Sequence, residues 1–127
     1  MDSEMSIELQ EGTVAFERRG SIIHVTLKGW ITEELTMQVQ SSVEQELSAD
    51  GKSSILYNCL GMSDPTMALV LVMQSFHDRL HQRVAKSAIV VPGYRLAFLS
   101  RIAFGQDDTK YKVFYNNRDE ALAWLNQ

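Results

Sequence analysis

The sequence predicts a single α/β domain in which an N-terminal β-hairpin leads into a mixed, mostly parallel five-stranded sheet with about four helices. Three observations predict it. Apolar and polar residues alternate on both sides of a short glycine turn near the N-terminus, the signature of a hairpin with one buried face. Beyond residue 30, helical periodicities alternate with short apolar runs, as when helices cross between parallel strands. No repeat, low-complexity tract or Pro/Gly/Ser-rich linker divides the 127 residues. A chain of that length buries roughly two thirds of its unfolded surface without needing disulfides or metals. Residues 1–11 are polar and read as a flexible N-terminus, and residues 12–127 as the domain.

The elements follow in order. Val14 and Phe16, then Ile23, Val25 and Leu27, alternate with polar neighbours such as His24 and Thr26 around Arg19-Gly20. Gly29 ends the second strand. Thr32 followed by Glu33 and Glu34 starts a helix, a hydroxyl cap ahead of two carboxylates at the positive end of the dipole. Leu35, Val39, Val43 and Leu47 form its apolar stripe, and Asp50-Gly51 stops it. Residues 54–60 are apolar on both sides, which suits a central strand, and residues 61–65 read as a loop. A helix is expected from Thr66 to about Val84, with Met73, Phe76, Leu80 and Val84 at helical spacing. A strand over 87–91 stops at Pro92-Gly93, and a short helix runs from about Arg95 to Phe104. Asp107-Asp108 reads as a turn before a strand over 111–115, and a last helix covers 118–125.

Composition restricts the function classes. One cysteine, Cys59, excludes an intrachain disulfide, so nothing calls for an oxidising compartment. The first residues are acidic rather than signal-like, and the longest apolar run, residues 67–73, is far short of the ~20 that a membrane span requires. A cytoplasmic protein with no membrane span is the simplest expectation. The net charge of −4 argues against nucleic acid as a partner. Charge is nevertheless uneven. Arg79, Arg83, Lys86, Arg95 and Arg101 follow one another without an intervening acid, whereas the first half of the chain is acidic. Either the two halves complement each other within the fold, the favoured reading, or the bases form a small anion-binding face.

The carboxyl end carries a resemblance. Lys112-Val-Phe-Tyr-Asn-Asn-Arg-Asp-Glu-Ala-Leu-Ala-Trp-Leu125 resembles the closing strand and helix of the SpoIIAA-like family, which ends in a comparable E-A-L-A-W-L helix. The strand over 87–91, the opening hairpin and the glycine after the second strand fit the same pattern over residues 12–125. The resemblance implies a STAS-type domain, a group of binding and regulatory modules that includes anti-anti-sigma factors switched by phosphorylation. Those switches carry an Asp-Ser-Ser/Thr-Gly loop. The matching stretch here is Ser63-Asp64-Pro65-Thr66-Met67, with proline at the usual phosphoserine position and methionine at the glycine. Asp64 is kept, and Ser63 and Thr66 are the remaining hydroxyls. A phosphate at a helix start would meet free N–H groups, but a plain cap and turn explains the same residues and is favoured.

Residue patterns for catalysis are weak. His77 and His81 are spaced as two metal ligands on one helical face, but only the shorter Asp78 stands beside them and Arg79 and Arg83 add positive charge. A solvated helix face is the expectation for both histidines. Cys59 reads as a core thiol, and no phosphate-binding glycine loop occurs. No catalytic residue, cofactor or metal site is assigned. The apolar stretch 67–73 cannot all face one side. Burial under the last two helices is favoured, with a dimer contact or apolar pocket as alternatives. The reading is a non-enzymatic regulatory domain, acting through a protein partner or a second copy and dimeric by preference. The alternative is a carrier or sensor of a small amphiphile. In either case Met67, Leu69, Val70 and Met73 supply the apolar surface, and Arg79, Arg83 and Arg95 its charged margin.

Overall fold

A computed structural model describes residues 12–105 and 109–127, so the expected flexible N-terminus and the Asp107-Asp108 turn lie outside the described residues. The element order is β1 (Thr13–Arg19), β2 (Ile22–Gly29), α1 (Glu33–Glu46), β3 (Ser53–Met62), α2 (Met67–Leu80), β4 (Val84–Val91), α3 (Tyr94–Phe104), β5 (Tyr111–Tyr115) and α4 (Arg118–Leu125). The sheet order is β1-β2-β3-β4-β5. β1 and β2 pair antiparallel, and every later pair is parallel.

That order dictates where the helices lie. Three consecutive crossovers step the same way across the sheet, and a common right hand places all three helices on one face. α1, α2 and α3 accordingly cover Ile23, Val25, Leu27, Ile55, Tyr57, Ile89 and Val91, contributing Val39, Val43, Phe76, Leu80, Leu96 and Ala97 to the same core. α4 has no following strand and closes the opposite face, where Ala121 and Leu125 join Ile22, Leu56, Ala88, Val90 and Phe114. It packs on β3, β4 and β5. The β1–β2 end of that face is left with the polar residues Glu17, His24 and Thr26.

Local chemistry explains the boundaries. The Thr32 hydroxyl accepts from the Leu35 N–H at 3.1 Å, capping α1 as its sequence predicts. α4 is capped by Asn117, which accepts from the Glu120 N–H at 2.9 Å, after Asn116 turns the chain at φ 53°. Two expectations are corrected. α2 does not continue to Val84: a 3-10 turn over His81–Arg83 intervenes and Val84 opens β4. The Lys110 ammonium donates to the carbonyls of His81 (3.1 Å) and Val84 (2.7 Å), which holds the chain out of the helix there. β3 also runs past residue 60. Asn58 accepts from the Leu60 N–H at 3.1 Å across a register shift, and the strand resumes with Gly61 opposite Lys28. Among the described residues no helix is long and apolar enough to cross a membrane.

Candidate functional site

The loop joining β3 to α2 lies at the C-terminal edge of the parallel strands, where α/β sheets commonly bind their partners. The Ser63 N–H donates to the Gly29 carbonyl at 2.9 Å, which anchors the loop on the end of β2. Thr66 caps α2, its hydroxyl accepting from the Leu69 N–H at 3.3 Å. Asp64 pairs with the exposed Arg95 side chain, whose Nε is 2.7 Å from the carboxylate. Ser63 and Thr66 are both exposed. The structure thus brings together Asp64 and Arg95, which belong to separate features in the sequence.

α2 and α3 run side by side. Arg95 meets Asp64 ahead of α2, and further along Gln74 donates to the Ile102 carbonyl at 3.0 Å. With that register, the exposed pairs Met67/Leu71 and Tyr94/Phe98, each one helical turn apart, occupy corresponding stretches of the two helices. These are large apolar side chains left substantially in water: Met67 and Leu71 are each 48% exposed, Tyr94 84% and Phe98 62%. Tyr94 stacks edge-on with Tyr115 of β5, ring centroids 5.8 Å apart, which extends the surface toward the sheet. The sequence reading did not single out Tyr94 or Phe98. Their i, i+4 spacing on an otherwise short helix was the available signal.

The rest of the apolar stretch faces inward. Val70 is buried, and Leu69, Val70 and Met73 line a cavity of about 80 Å³ together with Met62, Leu96 and Phe104. α3 rather than α4 covers α2, because α4 is on the other side of the sheet. Burial under the last two helices is therefore corrected to partial burial under one.

Arg79, Arg83 and Arg95 are not brought together. Arg79 and Arg83 both reach Glu44 of α1, at 3.2 and 3.6 Å, near the C-terminal end of α2. Arg95 stands near its N-terminal end, against Asp64. These three members of the basic run are matched by carboxylates, whereas Lys86 donates to the Trp124 carbonyl at 3.0 Å and Arg101 to the Tyr115 hydroxyl at 3.4 Å.

His77 overturns its expectation. It is 3% exposed rather than solvated, enclosed by the rings of Phe76, Tyr57, Phe104 and Tyr111. Its Nε2 lies 3.4 Å from the Tyr57 hydroxyl. Burial holds the ring's pKa down to about 3, so it is a neutral core histidine. His81 takes a separate partner, with Nδ1 3.1 Å from the Tyr111 hydroxyl. Among the described residues no three histidine, cysteine or acidic side chains gather as a metal would require. Cys59 is a buried thiol beside the cavity, and burial pushes its pKa up to about 12.

A mixed five-stranded α/β sheet, opened by a hairpin and covered by helices on both faces, is the fold class that the sequence predicts. The sequence profile of the SpoIIAA-like family matches residues 22–126, and the chain belongs to that family. Among solved structures it is similar to an uncharacterised protein of the DUF3478 family with a SpoIIAA-like fold from Shewanella loihica. That similarity has a TM-score of 0.71 and 18% identity, covering 95% of this chain and 98% of the other. It is also similar to an anti-sigma factor antagonist from Mycobacterium paratuberculosis, with a TM-score of 0.66 and 14% identity over 91% of this chain and 95% of that one. At these identities the likeness is one of fold. No curated protein matches the sequence.

Proposed function

We propose that the chain is a non-enzymatic regulatory domain of the cytoplasm that docks a protein partner through the N-terminal halves of α2 and α3. The observation carrying this reading is the exposure of Met67, Leu71, Tyr94 and Phe98 on two adjacent helices beside the β3–α2 loop. Apolar surface of this kind is favourable to remove from water, and flexible methionine adapts to a partner's shape. The fold is similar to that of an anti-sigma factor antagonist, and a protein-binding role is consistent with that likeness. The first partner to test is a second copy of this chain.

Native mass spectrometry of the purified protein is the test, followed by denaturing mass spectrometry on the same sample. A dimer of bare chain mass that dissociates in Leu71→Glu and in Phe98→Glu supports the reading. A monomer at all concentrations, or a dimer unaffected by both substitutions, removes this face as a self-contact. Extra mass surviving denaturation and mapping to Ser63 or Thr66 would favour a phosphorylation switch at the same surface.

A second reading has its own observation. The cavity behind Leu69, Val70 and Met73 is apolar and lies between the sheet and the helices. A carrier or sensor of a small amphiphile would place an acyl or similar group there. Extra mass lost on denaturation is its expected signature.

A further inference from the structure

The opposite face of the sheet holds a second, chemically different pocket. Because α4 packs on β3, β4 and β5, the β1–β2 end of that face stays open beside the start of the helix. The strand registers place Glu17 opposite His24, His24 beside Leu56, and Thr26 beside Asn58, all on this face. Together with Arg118, the first residue of α4, these side chains line a pocket of about 130 Å³.

The polar groups here are arranged to donate. Arg118 Nη2 lies 3.3 Å from His24 Nδ1. A guanidinium has no acceptor, so Nδ1 must accept, which fixes the ring as neutral with its proton on Nε2. His24 is 8% exposed, and no hydrogen bond to Nε2 occurs among the described residues. Asn58 spends its carbonyl oxygen on the Leu60 N–H, which leaves the amide NH2. Thr26 adds a half-buried hydroxyl. Arg118 has no carboxylate within ion-pair distance among the described residues, whereas the one acid at the pocket, Glu17, is held by Arg19 at 2.9 Å. The lining carries one positive and one negative charge, and the negative one is already paired with Arg19, which stands outside the pocket. Burial, followed by the positive charge of Arg118 and Arg19, lowers the His24 pKa against the opposing charge of Glu17, which keeps the ring neutral.

We propose that this pocket binds a small oxyanion, a carboxylate or phosphate group, on Arg118, the Nε2–H of His24 and the Asn58 amide. A guanidinium paired with fixed neutral donors is the usual recognition chemistry for such a group. The site lies across the sheet from the α2/α3 surface, so it stands independently of the proposed docking role.

The chain has three histidines, so their ring nitrogens can be followed individually by NMR. Acetate and inorganic phosphate are titrated separately at constant ionic strength, with chloride as the reference. The expected result is saturable movement of the His24 Nε2 and Asn58 side-chain amide signals with one shared Kd, while the buried His77 stays still. Which anion saturates at lower concentration distinguishes a carboxylate from a phosphate ligand. Arg118→Gln should weaken binding by roughly tenfold or more. Asn58→Asp keeps the acceptor for the Leu60 N–H but puts a negative charge in the pocket, and it should abolish binding with the His77 signal unchanged. Linear, non-saturating shifts in the unmutated protein overturn the proposal, as does an affinity that Arg118→Gln and Asn58→Asp both leave intact.

Discussion

The Tyr57 hydroxyl and the His77 Nε2 meet at 3.4 Å inside the core, one from the central strand β3 and the other from α2. The contact ties the helix to the sheet through two polar atoms in an aromatic enclosure, where burial also raises the Tyr57 pKa. Its stability depends on the imidazole remaining neutral.

This gives a pH dependence with a definite sign. The folded His77 pKa is depressed to about 3 from an ordinary value of 6.5. Between those values the unfolded chain binds the extra proton, so stability is complete above about pH 6.5 and is lost as pH falls toward 3. The slope expected from this one group is about 1.4 kcal/mol per pH unit. Urea unfolding at a series of pH values should show it, and His77→Phe should flatten that part of the profile. A His77→Phe profile that parallels the original would refute the assignment.

Cys59 offers a chemical check on the same core. With its thiol pushed up to about 12, its thiolate population in the folded protein is about a thousandfold below that of a free cysteine near neutral pH. A thiol-reactive dye should label the native protein only as fast as it opens and label the denatured chain at once. Rapid labelling in native buffer would mean that the cavity beside Cys59 admits solvent and reagent freely.

Ser87 is fully buried on β4, and its hydroxyl is the one buried side-chain polar atom without a hydrogen-bond partner among the described residues. Removing an unsatisfied group from the core relieves a desolvation cost of about 1–3 kcal/mol. Ser87→Ala is therefore expected to leave stability unchanged or raise it by about 1 kcal/mol in denaturant titration. A loss larger than about 1 kcal/mol would show that the hydroxyl has a partner after all.

The elements legible in the sequence were those specified by short-range chemistry. Thr32 ahead of two glutamates, the alternation through Ile23, Val25 and Leu27, and the closing helix with Ala121 and Leu125 in the core all depend on neighbours within a turn or two. Val84 misled because it continues the spacing of Met73, Phe76 and Leu80, while the lysine that diverts the chain lies 26 residues away. His77 lies at i+4 from Met73 and next to Phe76, so it was already inside the apolar stripe. Its pairing with His81 as a potential ligand set obscured that position. The pairing of Asp64 with Arg95 and the docking of Arg118 on His24 were not legible, because both depend on which elements the sheet order makes adjacent.

The sheet order also bears on how the chain acquires its structure. Every strand pairs with its immediate predecessor, so no strand must wait for a later one to be inserted between it and its partner. Assembly can therefore advance from the hairpin by successive addition at one growing edge, each parallel pairing closing a crossover that contains a single helix. On the ribosome, β1 to β4 can be in register before the last strand emerges. α4 alone must then reach back to the face that the earlier helices left bare.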